Sequence, residues 1–568
     1  MSRHVMLNHT CVFNTPRARK PAPRKTTITP LPRASNKALI IVAVLGVAGS
    51  LLMLLATRFG VGIDPDSTVY LDAGRSLLRG MGMVVLSGRS GELIPLTHYP
   101  PLYPALLALI GKSGLSLESA ARVVNAVLFG SNATLVGLII SLYARDSLWL
   151  PVLGSLLTLT AVDVAASHSI ALTEPLFIFF TLLGLMSLAL YLENQQRRFL
   201  IAAALAMACS LLTRYVGIVS VITGALVLTS LHHSGPGTAA ILPAAAVERS
   251  TTIGRAPRSR LVGLLLFAAV AFLPMILWVI RNYLLVNAPT DRQIVFHPVR
   301  LQHLVSALST VAQWLLLGKV SGRIRVIGFL IEVVILICLT LYWWSKGREH
   351  AVNRSETLAP WLPRLLGFFI IAYVAFLIFT ASFIDADTVF DSRSLLPVHV
   401  VGIVLVLCLT RDLQLRAGEL RFARIAVVLF AVLLVASHSF RFVAWLERSS
   451  KDGQGYASRS WTYSETIAAV KSTAPGVPIY SNGYDAIYYL TGRRAILIPE
   501  KIVHGTGRPN PNYEKEVETM VDDIMDHDGV LVYFHKLPER SYLPSEEELR
   551  ERVHLQVFAL NDGSILKQ

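Results

Sequence analysis

The sequence predicts a polytopic α-helical membrane protein with a small α/β domain after its last membrane segment. Of its 568 residues, 53% are hydrophobic and only 16% are charged, and the mean hydropathy is +0.54. A soluble chain of this length would carry roughly a quarter charged residues. The charge is excluded from many apolar runs of roughly 18 or more residues, which are long enough to cross a bilayer as helices.

About 11–13 transmembrane helices are expected from these apolar runs. A basic tail without acidic residues, 1–37, precedes the first span and is typical of a disordered cytoplasmic arm. The membrane domain is placed at 38–445. Its eleven assigned spans lie at about 38–57, 121–143, 148–165, 172–192, 199–213, 216–231, 261–283, 325–344, 363–384, 394–410 and 424–445.

The distribution of charge indicates the orientation of the chain. The formal net charge is +15, which in a soluble protein would suggest a nucleic-acid partner. Here Lys and Arg gather in alternate loops, at 144–147, 193–198, 232–260, 345–363 and 411–424. This is the positive-inside pattern of a membrane protein. We therefore expect a cytoplasmic amino terminus in an inner or plasma membrane, an extracytoplasmic carboxyl terminus and no nucleic-acid partner.

The composition changes after about residue 446, where charged residues return. Strand-like segments at Val477–Tyr480, Ala495–Ile498 and Val530–Phe534 alternate with helix-like ones. Helices are expected at Tyr513–Asp526 and from a capping box of Thr462 with Glu465 to Lys471. Residues 446–568 are therefore predicted to form an extracytoplasmic α/β domain.

Polar residues gather at the ends of spans that face outward under this topology. Acids and bases from several outer loops converge there, as expected for a polar cavity lined by a helical bundle. They include Asp64, Asp66 and Asp72 after span one, Glu174 at the start of span four, Arg214 between spans five and six, and Asp391 and Arg393 between spans nine and ten. The loop at 58–120 carries most of these groups and is the predicted catalytic loop. Its segment Pro101–Ile110 is too short to cross and is expected to lie in the membrane interface.

Several of these segments resemble a known family. Asp66-Ser67-Thr68-Val69-Tyr70, followed by Pro100-Pro101-Leu102-Tyr103, resembles the first outer loop of the GT-C glycosyltransferases. The similarity is greatest to the protein O-mannosyltransferase and lipid A aminoarabinose transferase branch. Glu174 in LTEPLF and Arg214 in LLTRYVG resemble later features of that branch. The resemblance covers residues 38–230 well and the remainder in general layout.

The resemblance implies a GT-C-like fold and a membrane glycosyltransferase (a hexosyl- or pentosyltransferase) of cell-envelope glycan biosynthesis. A polyprenyl-phosphate sugar would be the donor, a glycan, lipid or protein the acceptor, and the anomeric centre would be inverted. Two positions depart from the family's pattern. Ser67 replaces an acid, and Tyr99 stands where many relatives have Lys or His.

The chemistry of such a transfer assigns roles to the residues. An acceptor hydroxyl needs a carboxylate to take its proton, and Asp66 is the candidate base with Asp64 as its substitute. The departing phosphate needs cationic donors, for which Arg214 and Arg393 are candidates.

The other substrate-binding candidates have supporting roles. Tyr70 occupies the family's aromatic position, and His98 and Tyr99 could assist at the phosphate. Glu174 would bind sugar hydroxyls or orient the loop. No cofactor beyond the lipid-linked donor is implied. A divalent cation among Asp64, Asp66 and Glu174 remains an alternative that no ligand spacing demands, and the four scattered cysteines do not form a zinc pattern.

Other interpretations stay open. Asp66 could be a helix N-cap, Glu174 could cap span four, and Arg214 could extend to the membrane surface as an anchor. At the level of function, one alternative is a transporter or flippase of a lipid-linked sugar, which would be expected to show inverted repeats and midplane polar groups. Another is a non-catalytic cell-envelope assembly protein.

Overall fold

A computed structural model describes residues 35–230, 257–315, 361–416, 421–537, 540–553 and 555–568, together with parts of 321–337. Most of the basic tail and most of the predicted span at 325–344 lie outside the described residues. The described chain forms a helical bundle followed by an α/β region. In chain order the helices of the bundle are α1 (Asn36–Ala56), α2 (Pro65–Leu78), α3 (Leu102–Gly111), α4 (Leu117–Tyr143), α5 (Trp149–Thr160), α6 (Val162–Ser169), α7 (Glu174–Asn194), α8 (Arg197–Thr213), α9 (Ile218–Ser230), α10 (Pro257–Val286), α11 (Leu301–Leu315), α12 (Trp361–Phe383), α13 (Leu396–Arg416) and α14 (Arg421–Asp452).

The bundle is that of a multi-pass membrane protein. Within the described ranges, six helices are long and apolar enough to cross a membrane, namely α1, α4, α7, α10, α12 and α14. A seventh crossing results if α5 and α6, which are bent by 57° relative to each other, count as one broken span. The predicted spans at 199–213, 216–231 and 394–410 correspond to α8, α9 and α13, which do not reach the length and apolarity of those six.

Glycines allow α1 and α4 to touch. A Cβ atom added to Gly130 would lie 2.1 Å from the backbone oxygen of Gly46, so the two backbones are in direct contact. Small residues are the usual means of packing helices in lipid, where burial of apolar surface does not drive association. This contact sets the position of α1, which leads directly into the loop with Asp64 and Asp66.

The loop between α1 and α4 is itself well structured. Strands β1 (Val84–Leu86) and β2 (Leu93–Pro95) form an antiparallel hairpin between α2 and α3. The carboxylate of buried Asp72 on α2 accepts the Leu86 N–H at 2.8 Å, which holds the hairpin against α2. The predicted short helix at Pro101–Ile110 is α3.

The C-terminal α/β region contains a five-stranded mixed sheet. Its strands are β3 (Ile479–Ser481), β4 (Ile496–Leu497), β7 (Val530–Phe534), β8 (Gln556–Leu560) and β9 (Gly563–Lys567), and a separate pair is formed by β5 (Ile502–Val503) and β6 (Arg508–Pro509). The strand order in the sheet is β4-β3-β7-β9-β8, in which β3 is parallel to β4 and β7, and β9 is antiparallel to β7 and β8. The helices are α15 (Arg459–Thr462), α16 (Glu465–Ser472), α17 (Tyr484–Thr491), α18 (Tyr513–Asp526) and α19 (Glu546–Val553).

Most of the predicted elements of this region are confirmed. The three predicted strands overlap β3, β4 and β7, and the helix at Tyr513–Asp526 is α18. The predicted cap is wrong, because Ser464 rather than Thr462 caps α16 and accepts the Ile467 N–H at 3.1 Å. Strands β8 and β9 were not predicted.

Candidate functional site

Four charged side chains from four separate segments form one ion-pair cluster. The guanidinium of Arg393 contacts Asp66 Oδ2 through Nη2 and Glu174 Oε1 through Nε, each at 2.5 Å. Arg214 Nη1 lies 2.5 Å from the same Glu174 oxygen. This four-residue cluster of Asp66, Arg393, Glu174 and Arg214 balances two carboxylates with two guanidiniums. The sequence had brought all four forward as candidates, and the structure joins them directly.

The ends of the helices position the cluster. Asp66 is the second residue of α2, and Glu174 is the first residue of α7. Arg214 follows the last residue of α8 and also donates to Thr173 Oγ1 at 3.0 Å. Arg393 lies in the loop between α12 and α13. A carboxylate at a helix N-terminus is stabilised by the helix dipole, which favours Glu174 at its position.

Glu174 is the buried centre of the cluster. Its side chain is 1% exposed, and among the residues that the structure describes its Oε2 atom has no hydrogen-bond partner. A buried carboxylate without its cations would be strongly destabilised. Glu174 therefore depends on both arginines and holds their guanidiniums in place.

Asp66 is ionised and accessible. Its side chain is 27% exposed, and the Tyr99 hydroxyl donates to Oδ1 at 2.7 Å. Burial by itself raises the pKa of Asp66, but the charge of Arg393 and the hydrogen bonds from Tyr99 and Arg393 lower it to about 2. The side chain is not the N-cap of α2, since that position is Asp64.

Asp64 differs from Asp66 in both structure and charge. It forms a capping box with Ser67, whose Oγ accepts the Asp64 N–H at 3.1 Å. Burial, together with the nearby carboxylates of Asp66 and Glu174, raises the pKa of Asp64 to about 6, although Arg393 acts in the opposite direction. Because Ser67 is fully buried in this capping box, a carboxylate at position 67 would lack water here.

Three tyrosines form the wall behind Asp66. Tyr70 packs edge-on against Tyr99 and Tyr103, with ring centroids 4.9 Å and 5.6 Å away. Tyr70 is 1% exposed, so in this structure it supports Tyr99 and is not open to a ligand. Tyr99 is the tyrosine that reaches the cluster.

His98 belongs to a neighbouring chain of hydrogen bonds. Its Nδ1 lies 2.9 Å from Asp291 Oδ2, and its Nε2 accepts from Arg292 Nη2 at 3.0 Å. Arg292 also contacts Asp385 Oδ2 at 3.2 Å. Sequence reasoning did not identify Asp291 or Arg292. The available signal was an adjacent acid and base in the segment after the seventh predicted span.

The chemistry available at the site is proton acceptance and binding of an anion. Among the described residues, no three His, Cys, Asp or Glu side chains are grouped to hold a metal ion. The carboxylates of Asp66 and Glu174 are instead engaged by arginines. Guanidiniums bind phosphate through paired donors, so an incoming phosphate would compete with these carboxylates for Arg393 and Arg214.

Comparisons with known proteins identify solved structures that have a similar fold. No protein-family model matches the chain, and comparison of its sequence with curated proteins finds no match. Among solved structures, apo ArnT from Cupriavidus metallidurans is 13% identical, with 92% of this chain and 97% of ArnT covered and a TM-score of 0.55. ArnT bound to undecaprenyl phosphate gives 12% identity, the same coverage and a TM-score of 0.52.

An archaeal protein shares the fold as well. The Archaeoglobus fulgidus oligosaccharyltransferase, tethered with an acceptor peptide that contains the NVT sequon, is 12% identical with a TM-score of 0.52. The match covers 88% of this chain and 68% of the archaeal chain. Over most of its length, this chain therefore has the fold of the GT-C glycosyltransferases.

Proposed function

We propose that the protein is an integral membrane glycosyltransferase that moves a sugar from a polyprenyl-phosphate donor to an acceptor on the extracytoplasmic face. The four-residue cluster carries this proposal, because it sets a partly exposed carboxylate beside two guanidiniums. The shared fold supports it, since one of the similar structures holds undecaprenyl phosphate and another an acceptor peptide.

The transfer makes one bond at the anomeric carbon and breaks another. An oxygen of the acceptor bonds to the anomeric carbon while the bond from that carbon to the donor's phosphate oxygen breaks. The phosphate takes the electron pair, and Asp66 takes the proton of the acceptor hydroxyl. Attack opposite the leaving phosphate inverts the anomeric centre. Arg214 and Arg393 balance the charge of the departing phosphate.

Arg393 couples donor binding to the basicity of Asp66. In the free protein the guanidinium keeps the pKa of Asp66 at about 2, which makes the carboxylate a weak base. A donor phosphate that attracts Arg393 weakens this ion pair and raises the pKa of Asp66 toward the ordinary aspartate value of about 4. The base is then strengthened only when the donor is in place.

The sidedness follows from the positive-inside rule. The cluster lies at the end of α8 and the start of α7, whereas the opposite ends of α4, α7, α8 and α13 carry Arg145, Arg197, Arg198 and Arg411. Basic helix ends face the cytoplasm, so the cluster faces outward. The C-terminal region lies on the cluster's side, because Tyr456 donates its N–H to the oxygen of Ile63 at 2.8 Å.

The test is sugar transfer in membranes with matched protein levels. Radiolabelled hexoses and pentoses on undecaprenyl phosphate serve as donors, and label leaving the lipid for native acceptors is measured. Asp66→Asn should lower the transfer rate by about 10²–10⁴-fold, the usual contribution of a general base.

The matched control is Asp146→Asn. Asp146 also pairs with an arginine, Arg411 at 2.7 Å, but at the opposite helix ends, and this variant should transfer at the wild-type rate. Wild-type rates in Asp66→Asn would remove the base assignment. Absence of transfer from every donor by the wild-type protein would remove the proposed function.

A further inference from the structure

The C-terminal region holds the tip of the first-loop hairpin. Leu497 donates its N–H to the oxygen of Gly88 at 2.7 Å, and Arg89 contacts Glu500 Oε2 at 3.0 Å. A Cβ atom at Gly88 would lie 2.5 Å from the ring of Tyr484, so the hairpin tip is in close contact with α17. The same hairpin is fastened to α2, and thereby to Asp66, through Asp72.

Residues 504–505, a few positions after Glu500, contact the loop that carries Arg393. Ala386 donates its N–H to the oxygen of Gly505 at 2.9 Å, and Gly505 returns its N–H to Asp387 Oδ2 at 3.0 Å. His504 Nδ1 lies 2.9 Å from the same Asp387 oxygen. Asp387 precedes Arg393 by only six residues.

Residues 497–505 therefore contact both the loop that contains Asp66 and the loop that carries Arg393. Within it, the backbone N–H of His504 donates to Glu500 Oε2 at 3.3 Å, which joins the two contact points. We propose that residues 497–507 are a clasp that sets the separation of Asp66 and Arg393, with Glu500 and His504 as positioning residues for the transfer reaction. This inference rests on the proposed function.

The clasp is polar and partly exposed, so its contacts are weak. The side chains of His504 and Asp387 are 50% and 40% exposed, and exposed ion pairs are weak. Because small errors in the placement of reacting groups slow catalysis strongly, a weak contact at this point can still affect the rate.

Charge at the clasp depends on His504. The groups that face it are the carboxylates of Asp387, Asp385 and Glu500 and the ring of Tyr542, whose centroid is 4.5 Å away. The hydrogen bond to Asp387 raises the pKa of His504 above its ordinary value, against the effect of burial. The ion pair is thus fully present below the ordinary histidine pKa and is lost as the pH rises through the raised value.

The experiment compares His504→Gln and His504→Lys with the wild-type chain between pH 6 and pH 9. Transfer rate and donor KM are measured. Gln removes the charge at every pH, so we expect kcat to fall by about two- to fivefold at pH 6, the size expected for an exposed pair, with no difference at pH 9. Lys retains its positive charge between pH 6 and pH 9. In His504→Lys, kcat should therefore not decline over this range through loss of the ion pair with Asp387.

Matched controls are His527→Gln and His527→Lys. His527 Nδ1 pairs with Asp523 at 3.1 Å at the end of α18, and neither substitution should alter the pH profile. Superimposable profiles of His504→Gln and an active wild type would overturn the clasp while the proposed function stands.

Hydrogen–deuterium exchange decides the question independently of activity. Residues 384–391 should exchange faster in His504→Gln than in the wild-type chain at pH 6, and the same amides should be unchanged in His527→Gln. Equal exchange in all three proteins would overturn the clasp even if no sugar were transferred.

Discussion

Glu174 in the helical bundle and Asp562 in the C-terminal region are both buried carboxylates, but their oxygens have different partners. Asp562 Oδ1 accepts from the N–H and hydroxyl of Thr466 at 3.1 and 2.7 Å. Its Oδ2 accepts from Ser464 Oγ and Lys536 Nζ, both at 2.5 Å. In Glu174, one oxygen serves two arginines, and the other has no partner within the described residues.

The difference distinguishes a carboxylate whose partners are fixed by the fold from one whose partners are proposed to bind the donor. The partners of Asp562 include short hydroxyls and a backbone N–H, which are held in place by the fold around them. The partners of Glu174 are two long guanidiniums that can turn toward a ligand. The pKa does not make this distinction, because it is lowered to about 2 for Asp562 as well as for Asp66. The two carboxylates differ in whether the groups that contact them can turn away toward a ligand.

Of the variants at these two buried carboxylates, Glu174→Gln is expected to have the larger effect. The amide removes the charge that holds Arg214 and Arg393, so transfer should fall by about 10²-fold. Stability should fall by about 2 kcal/mol, less than the loss for a fully buried pair because both guanidiniums are partly exposed. Transfer rate and Tm in detergent measure the two effects. The control is Glu447→Gln, whose exposed pair with Lys451 should leave Tm unchanged. Wild-type transfer in Glu174→Gln would make Glu174 as structural as Asp562.

The pH dependence of transfer separates Asp66 from Asp64. Below its pKa a carboxylate loses one proton-accepting charge, and the rate falls tenfold per pH unit. The kcat/KM profile reports groups in the free protein. With Asp66 as the base, the low pKa of about 2 predicts no acid limb between pH 7 and pH 4. With Asp64, an acid limb would begin near pH 6.

The same measurement tests the exchange of Arg393. The kcat profile reports the donor complex, in which Arg393 is proposed to leave Asp66. The acid limb of the kcat profile should therefore lie at higher pH than the acid limb of the kcat/KM profile. Coincident limbs would show that Arg393 stays on Asp66 after the donor binds.

The smallest effect on activity is expected for Asp562→Asn. The amide loses the ion pair with Lys536 and places an N–H₂ group where an acceptor is needed, so stability should fall by about 1–2 kcal/mol. The transfer rate should not change. Because the pKa of Asp562 is depressed, its stabilisation is present above about pH 4 and is lost as the pH falls through about 2. The difference in Tm from the wild-type chain should accordingly narrow in acid. A loss of transfer at full stability would contradict the structural role.

The charged ends of the spans were readable from the sequence because charge is rare in such a chain. Asp66, Glu174, Arg214 and Arg393 were conspicuous at the borders of apolar runs, where a charged side chain is costly unless it has a partner. Arg292 and His504 were not identified from the sequence because they lie in segments with ordinary polarity. The residue that caps α2 was also not readable, since the pattern allowed Asp66 as the N-cap and only the observed start of α2 makes Asp64 the cap.

By itself, the sequence determined the membrane fold class, most of the spans, the α/β character of the C-terminal region and the residues that could form a site. These properties depend on local hydropathy and on the period of apolar residues, which a single segment displays. Only the tertiary structure decided which charges meet. Arg393 is separated from Asp66 by 327 residues and from Glu174 by 219. Their contact depends on how α2, α7 and the loop before α13 pack together, and no local pattern encodes that packing.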